Sequence, residues 1–205
     1  MKRGLLFTLS FWLVGAAVIR GTLLMPYYCP PVTPESAIFA ARESAGWIER
    51  AQNADGTYVY EYDRKANREP GGYNVVRHAG VTMSLYQLAA AGDLSVLAAA
   101  DHGMQYMIDH LYRHDDWAAF QNPDDGAVQL GASALMLDAL MQRRVATNEP
   151  RFDELSREVA RGLLALQLDD GAFLNRWDPS TAAPVPDDRS KYATGEAFWG
   201  LTLMH

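Results

Sequence analysis

One motif recurs along this chain: a glutamine, followed three residues later by Asp-Gly and then by an aromatic residue. It occupies residues 52–58 and 167–173 at identical spacing, and residues 121–126 begin the same pattern with one residue inserted. Glycine supplies the positive φ of a tight turn, and the Gln and Asp side chains are expected to bond the turn backbone. A motif repeated at fixed spacing indicates a repeated supersecondary unit.

Apolar residues at helical spacing lie on both sides of these turns. The predicted helices cover residues 34–52, 73–91, 94–112, 129–146, 152–168 and 194–205. Taken in pairs they make three helical hairpins, so the predicted fold class is all-α. Each second helix has a glycine near its start, at Gly80, Gly131 and Gly195. A helical glycine costs about 1 kcal/mol relative to alanine, so these glycines predict closely approaching backbones in an inner layer of helices.

The charge balance limits the possible partners. The chain has 25 acidic and 18 basic residues, a formal net charge of −7. Such a surface repels phosphate backbones, so nucleic acid is not a predicted partner. The single cysteine, Cys29, excludes an internal disulfide and a cysteine-cluster metal site. No metal or other cofactor is predicted.

The N-terminus has the pattern of a targeting segment. After the basic start, residues Gly4–Ile19 carry no charge, as in a signal peptide or a membrane anchor. If Arg20 reaches the lipid headgroups, the run to about Met25 is long enough to span a bilayer. We predict a retained anchor in preference to a cleaved signal or a buried core helix. The rest of the protein would then be extracytoplasmic, in the periplasm or at the cell surface.

Prolines at positions 26, 30, 31 and 34 predict a stiff, extended spacer after this segment. The predicted organisation is a membrane anchor or signal segment at 1–28, a proline-rich spacer at 29–34 and a helical domain at 35–205.

The repeated motif resembles the glutamine-tryptophan repeat of terpenoid cyclases and protein prenyltransferases, within the α/α-toroid superfamily. Residues 47–58 follow it with Tyr58 as the final aromatic, and residues 163–173 follow it with Phe173. The resemblance implies an (α/α) toroid, of which the three hairpins would be an incomplete ring. It predicts that the chain is a fragment of a longer ring or that another molecule covers its open edge.

The chemistry of that group is not matched. Its Asp-x-Asp-Asp motif is absent, and none of the Asp-Asp pairs is completed as Asp-Asp-x-x-Asp. Turn and helix-cap chemistry accounts for these pairs. Prenyltransferases use a cysteine-containing zinc site, whereas Cys29 lies beside the predicted anchor.

The chain also resembles the six-hairpin toroid enzymes, which are glycosidases, epimerases and polysaccharide lyases. Their sites lie in a bowl where the inner helices begin. In this chain the resemblance places Tyr73, Asn74, Arg77, His78, Lys191, Tyr192 and Glu196 at that rim.

These residues suggest roles in a carbohydrate site. Arg77, Lys191 and free helix N–H groups would bind a carboxylated sugar, and His78 or Glu196 would transfer a proton as catalytic residues. Trp117 is among the aromatic residues that would stack on sugar rings. Each also has a structural interpretation: a packed histidine, a first-turn acid or an aromatic of the rim.

The leading hypothesis is a membrane-anchored extracytoplasmic protein that binds or acts on a carbohydrate or cell-envelope polymer. The alternatives are a terpenoid-cyclase-like enzyme with a hydrophobic substrate and a non-catalytic scaffold.

Overall fold

The computed structural model describes residues 2–23 and 31–204. The chain separates into two compact units, residues 1–41 and 42–205. Cys29 and the start of the predicted spacer lie outside the described residues.

The described residues form seven α-helices and five short strands. The helices are α1 (Lys2–Thr22), α2 (Pro34–Arg50), α3 (Val75–Ala90), α4 (Leu97–Asp109), α5 (Leu130–Thr147), α6 (Asp153–Leu164) and α7 (Ala193–Thr202). The strands are β1 (Leu111–His114), β2 (Trp117–Phe120), β3 (Val128–Gln129), β4 (Arg176–Asp178) and β5 (Ala183–Pro184).

The all-α prediction is wrong, because the strands form two small antiparallel sheets, β1-β2 and β3-β4-β5. The helix expected to continue to Tyr112 ends at Asp109, and the chain turns back as a hairpin. Asp115 adopts φ +48°, the left-handed conformation common in two-residue hairpin turns. The aromatic residues of this segment suit a half-buried strand better than a helix.

The predicted fold also included a membrane-spanning helix at the N-terminus. A helix, α1, is present there. Within the described residues, however, no helix has the length and apolar character needed to cross a bilayer. Thr8, Ser10 and Arg20 reduce the apolar character of α1. The predicted attachment to a membrane stays a prediction.

The core of the second unit is built around α5. Helix α5 packs between α3 and α7, while α4 contacts α3 and α6 contacts α5 and β2. Residues 130–140 of α5 are all buried, as expected for a helix surrounded by other elements. The helices that follow the Asp-Gly turns, α3, α5 and α7, therefore lie side by side.

The three turns close in the same way. The Gln amide donates to the glycine carbonyl: Gln52 to Gly56 (3.3 Å), Gln121 to Gly126 (2.9 Å) and Gln167 to Gly171 (3.5 Å). The Asp carboxylate accepts an N–H two residues later: Asp55 from Thr57 (3.0 Å), Asp125 from Ala127 (2.9 Å) and Asp170 from Ala172 (3.0 Å). The predicted role of the motif in the turn is confirmed, including the copy with the inserted residue.

Close backbone approach occurs at only one of the three predicted glycines. A Cβ on Gly131 would lie 3.1 Å from Glu196 Oε2 and 3.3 Å from Ala193 Cβ, so α5 and α7 are tightly apposed there. Gly80 has only ordinary packing distances, and a Cβ on Gly195 would meet no atom of the described residues within 4 Å. Gly200 makes a further close approach on the same α5–α7 interface, with its added Cβ 3.0 Å from Asp138 Oδ1.

Candidate functional site

A pocket of about 360 Å³ opens where α3, α5 and α7 begin. We call it the rim pocket. It is lined by Val76 of α3, Gln129 and Gly131 at the start of α5, Ala193 and Glu196 of α7, Asn175, and residues 188–192. The loop between β5 and α7 supplies one wall, and the three helix starts supply the base.

The polypeptide brings these helix starts together through the second sheet. Gln129 of β3 is paired with Arg176 of β4, and Leu130 N–H donates to the Asn175 carbonyl at 2.9 Å. The segment before α7 is held to the same sheet region, because Asn175 N–H donates to the Asp188 carbonyl at 2.6 Å. The rim pocket therefore depends on pairing that the sequence pattern did not predict.

The starts of α5 and α7 lie at the base of the rim pocket. Neither Gln129 nor Tyr192 caps its helix through a side chain. Backbone carbonyls take part instead, since Leu130 N–H donates to Asn175 and Gly195 N–H to Tyr192. The helix dipoles of α5 and α7 place partial positive charge at their starts. Lys191 is exposed at the edge of the pocket.

Asp188 and Arg189, in the loop wall of the rim pocket, are engaged in ion pairs. Arg189 Nη1 lies 2.9 Å from Asp170 Oδ2, and Arg176 Nε lies 2.6 Å from Asp188 Oδ2. These pairs fix the wall of the pocket. Lys191 is thus the cation best placed to meet an incoming ligand.

Glu196 is the acid at the base of the rim pocket. It is partly buried in the first turn of α7, and burial raises the pKa of its carboxyl. It occupies the space left by the missing side chain of Gly131. A carboxyl of raised pKa beside a pocket has the property required of a proton donor.

A second carboxyl, Asp138 of α5, lies on the same helix interface as Glu196. Asp138 is 0% exposed, and neither carboxylate oxygen has a hydrogen-bond partner within the described part of the chain. Burial, and secondarily the charge of Glu196, raise the pKa of Asp138 to about 7. The sequence analysis did not select this residue. The sequence feature that could have identified it is that Asp138 is the one acid in the apolar run from Leu135 to Met141.

His78 lies in a different environment, in the core beside α4. His78 is 2% exposed. Its Nε2 donates to the Gly103 carbonyl at 2.9 Å, so its Nδ1 accepts from the Tyr73 hydroxyl at 2.7 Å. The Tyr73 hydroxyl in turn accepts from Tyr58 N–H at 3.0 Å. Burial lowers the pKa of His78 to about 4.

This arrangement gives His78 the character of a packed, neutral histidine, since both ring nitrogens are occupied inside the core. Its predicted catalytic role is not supported by the placement and stays a prediction.

A small second pocket of about 110 Å³ lies over this group and is lined in part by Tyr60, Tyr73, Asn74 and Arg77. Asn74 caps α3, accepting from Arg77 N–H at 2.9 Å. The Arg77 guanidinium stacks 5.0 Å above the Tyr60 ring. The predicted site residues are therefore divided. Lys191, Tyr192 and Glu196 line the rim pocket, whereas the residues at and just before the start of α3 line the second one: Tyr73, Asn74, Arg77 and His78.

Trp117 lines neither of these pockets. It is buried in β2, where its ring meets that of Trp177 edge to face at 5.0 Å between centroids. A Cβ on Gly162 of α6 would lie 3.0 Å from its ring. Trp117 thus packs α6 against the hairpin β1-β2, and the stacking role predicted for it is not supported by this position.

Across residues 2–23 and 31–204, no three His, Cys, Asp or Glu side chains are grouped as a metal site. No protein-family model matches this chain, and no curated protein is detectably similar to it. The resemblance to the toroid families and the activities that it implies stay predictions.

Proposed function

We propose that this protein binds an acidic carbohydrate in the rim pocket. The observation that carries the proposal is the convergence of three helix starts on one pocket, with Lys191 at its edge and Glu196 at its base. Helix N-termini favour carboxylates, and an ammonium group adds a charge-assisted hydrogen bond. A volume of about 360 Å³ lies within the range of small-ligand sites.

Two further features support a sugar rather than an inorganic anion. Gln129 and Asn175 provide side-chain amides, which donate and accept hydrogen bonds and suit hydroxyl groups. Tyr192 is 88% exposed beside the pocket, so its ring face is available for stacking on a sugar ring. The charged lining fits poorly with the hydrophobic substrate of a terpenoid cyclase.

Calorimetric titration with trigalacturonate and with its fully methyl-esterified form tests this proposal. Trigalacturonate should bind the wild type more tightly, because only it carries carboxylates. Lys191→Ala should weaken its binding about fivefold, equivalent to about 1 kcal/mol. Lys65→Ala is the matched control, since it removes the same charge from an exposed loop outside the rim pocket.

Failure of trigalacturonate to bind the wild type would reject the proposal. Equal losses in Lys191→Ala and Lys65→Ala would also count against it, because they would indicate a general charge effect. If the protein binds neither sugar, the non-catalytic scaffold becomes the favoured hypothesis.

A further inference from the structure

The two carboxyls of the α5–α7 interface, those of Glu196 and Asp138, lie one below the other along the helix axes. Gly131 and Asp138 are seven residues apart on α5, so they lie on one face, two turns apart. Glu196 and Gly200 are four residues apart on α7, or about one turn. Glu196 fills the space beside Gly131, and Asp138 fills the space beside Gly200. Glu196 therefore faces the rim pocket, and Asp138 lies deeper along the same interface.

Asp138 is an unusual group for this position. A buried carboxylate without partners is strongly unfavourable, so the group tends to hold a proton instead. Its burial raises its pKa to about 7, which places its protonation in the neutral range. Glu196 influences it electrostatically, so a change of charge at the pocket is felt at Asp138.

Other ionisable side chains on the elements around α5 are engaged elsewhere. On α5 and α3, Arg143 and Tyr86 bond Asp101, and His78 bonds Gly103 and Tyr73; on α6, Arg157 bonds Glu154. The charged group of α7 that acts on Asp138 is Glu196.

We propose that Asp138 takes up a proton from solvent when an acidic ligand occupies the rim pocket. This inference rests on the proposed function. The bound anion adds negative charge beside Glu196, which makes the ionised form of Asp138 less favourable. Ligand binding and protonation then favour each other, because linkage between two sites is reciprocal. Asp138 acts on binding through its charge and does not contact the ligand.

The size of the effect follows from the fraction of Asp138 that is protonated. If a bound anion raises its pKa from about 7 by about one unit, the protonated fraction at pH 7 rises from about one half to about nine tenths. Binding would then take up about 0.4 proton. The same shift makes binding about fivefold weaker at pH 8 than at pH 6.

The test is calorimetric titration of the full chain at pH 7 in HEPES and in Tris, whose different ionisation enthalpies reveal the number of protons exchanged. Trigalacturonate should take up about 0.4 proton on binding to the wild type, and its neutral methyl ester should take up almost none. Asp138→Asn should lose most of the uptake. Glu154→Gln, which removes an exposed acid from the first turn of α6, should retain it.

Trigalacturonate binding without proton uptake by the wild type would overturn the inference and leave the proposed function standing. Equal uptake by the wild type and Asp138→Asn would overturn it as well. Absence of trigalacturonate binding at any pH would reject the proposed function, and the inference with it. If Asp138→Asn fails to fold, Glu196→Gln distinguishes the two carboxyls of the interface, because it should retain most of the uptake when it binds trigalacturonate; loss of the uptake in Glu196→Gln would overturn the inference.

Discussion

Replacing Asp138 by asparagine should make the stability of this protein less dependent on pH. In the folded protein the pKa of Asp138 is raised from 3.8 to about 7. Because the folded pKa lies above the unfolded one, the folded state binds more protons over this range. The stabilisation is complete below the unfolded pKa and is lost as the pH rises through the folded pKa.

The magnitude follows from the two pKa values. At pH values well above 3.8 and well below 7 the unfolded carboxyl is ionised while the folded one holds its proton, so the free energy of unfolding falls by up to about 1.4 kcal/mol per pH unit. The loss levels off above the folded pKa. From pH 5 to pH 8 it amounts to about 2.5 kcal/mol. Asparagine does not titrate, so Asp138→Asn should gain about 2.5 kcal/mol relative to the wild type over the same interval.

Urea unfolding followed by the fluorescence of the five tryptophans measures this difference at pH 5 and pH 8. Glu154→Gln is the control, because its carboxyl is exposed and its pKa is lowered, chiefly by a hydrogen bond from Arg157. It is largely ionised in both states throughout this range and should give a nearly constant difference from the wild type. A difference between Asp138→Asn and the wild type that stays constant from pH 5 to pH 8 would refute the reasoning.

Three other predictions concern the packed histidine and two glycines. The folded pKa of His78, about 4, lies below its ordinary 6.5, so its contribution to stability is lost as the pH falls. Relative to His78→Gln, the free energy of unfolding of the wild type in urea should fall by about 2 kcal/mol between pH 7 and pH 5. A constant difference between the two proteins would contradict this. Gly103→Ala should lower the free energy of unfolding by about 3 kcal/mol in the same assay, because the new methyl overlaps the Tyr58 hydroxyl. A loss below about 0.5 kcal/mol would show that the neighbouring side chains move to accommodate the methyl. Gly131→Ala should displace Glu196 and weaken trigalacturonate binding severalfold in calorimetric titration. Unchanged affinity would show that the position of Glu196 does not affect binding.

The turns and most helices were predictable because their determinants are local. Within the turn, the hydrogen bonds of Gln52 and Asp55 reach only four and two residues along the chain, so the short motif contains the groups that close the turn. The further bond from Gln52 Nε2 to the Ala99 carbonyl, at 3.0 Å, is long-range and was not predicted. Helix α5 was predicted to within about one residue at either end, since its apolar residues continue without interruption. The same local logic failed at residues 111–120, where 111–112 were assigned to a helix and 113–120 to no regular element; pairing between β1 and β2 makes them strands.

The candidate site was only partly predictable. Lys191, Tyr192 and Glu196 do share a pocket, because they are close in sequence and precede or begin one helix. Arg77 and His78 do not join them. The position of a residue near a helix start does not determine which way its side chain points, and α3 directs His78 toward Gly103 of α4.

The repeated turns, the approximate helices and the cluster of polar residues before α7 could be predicted because they depend on interactions within a few residues of the chain. Long-range packing brings Gln129 and Asn175 to these residues at the rim pocket, and it buries Asp138, which has no hydrogen-bond partner among the described residues. Burial and charge act through neighbours that are distant in sequence. The protonation of Asp138 therefore follows from how α5 and α7 pack, and it cannot be predicted from the spacing of residues along the chain.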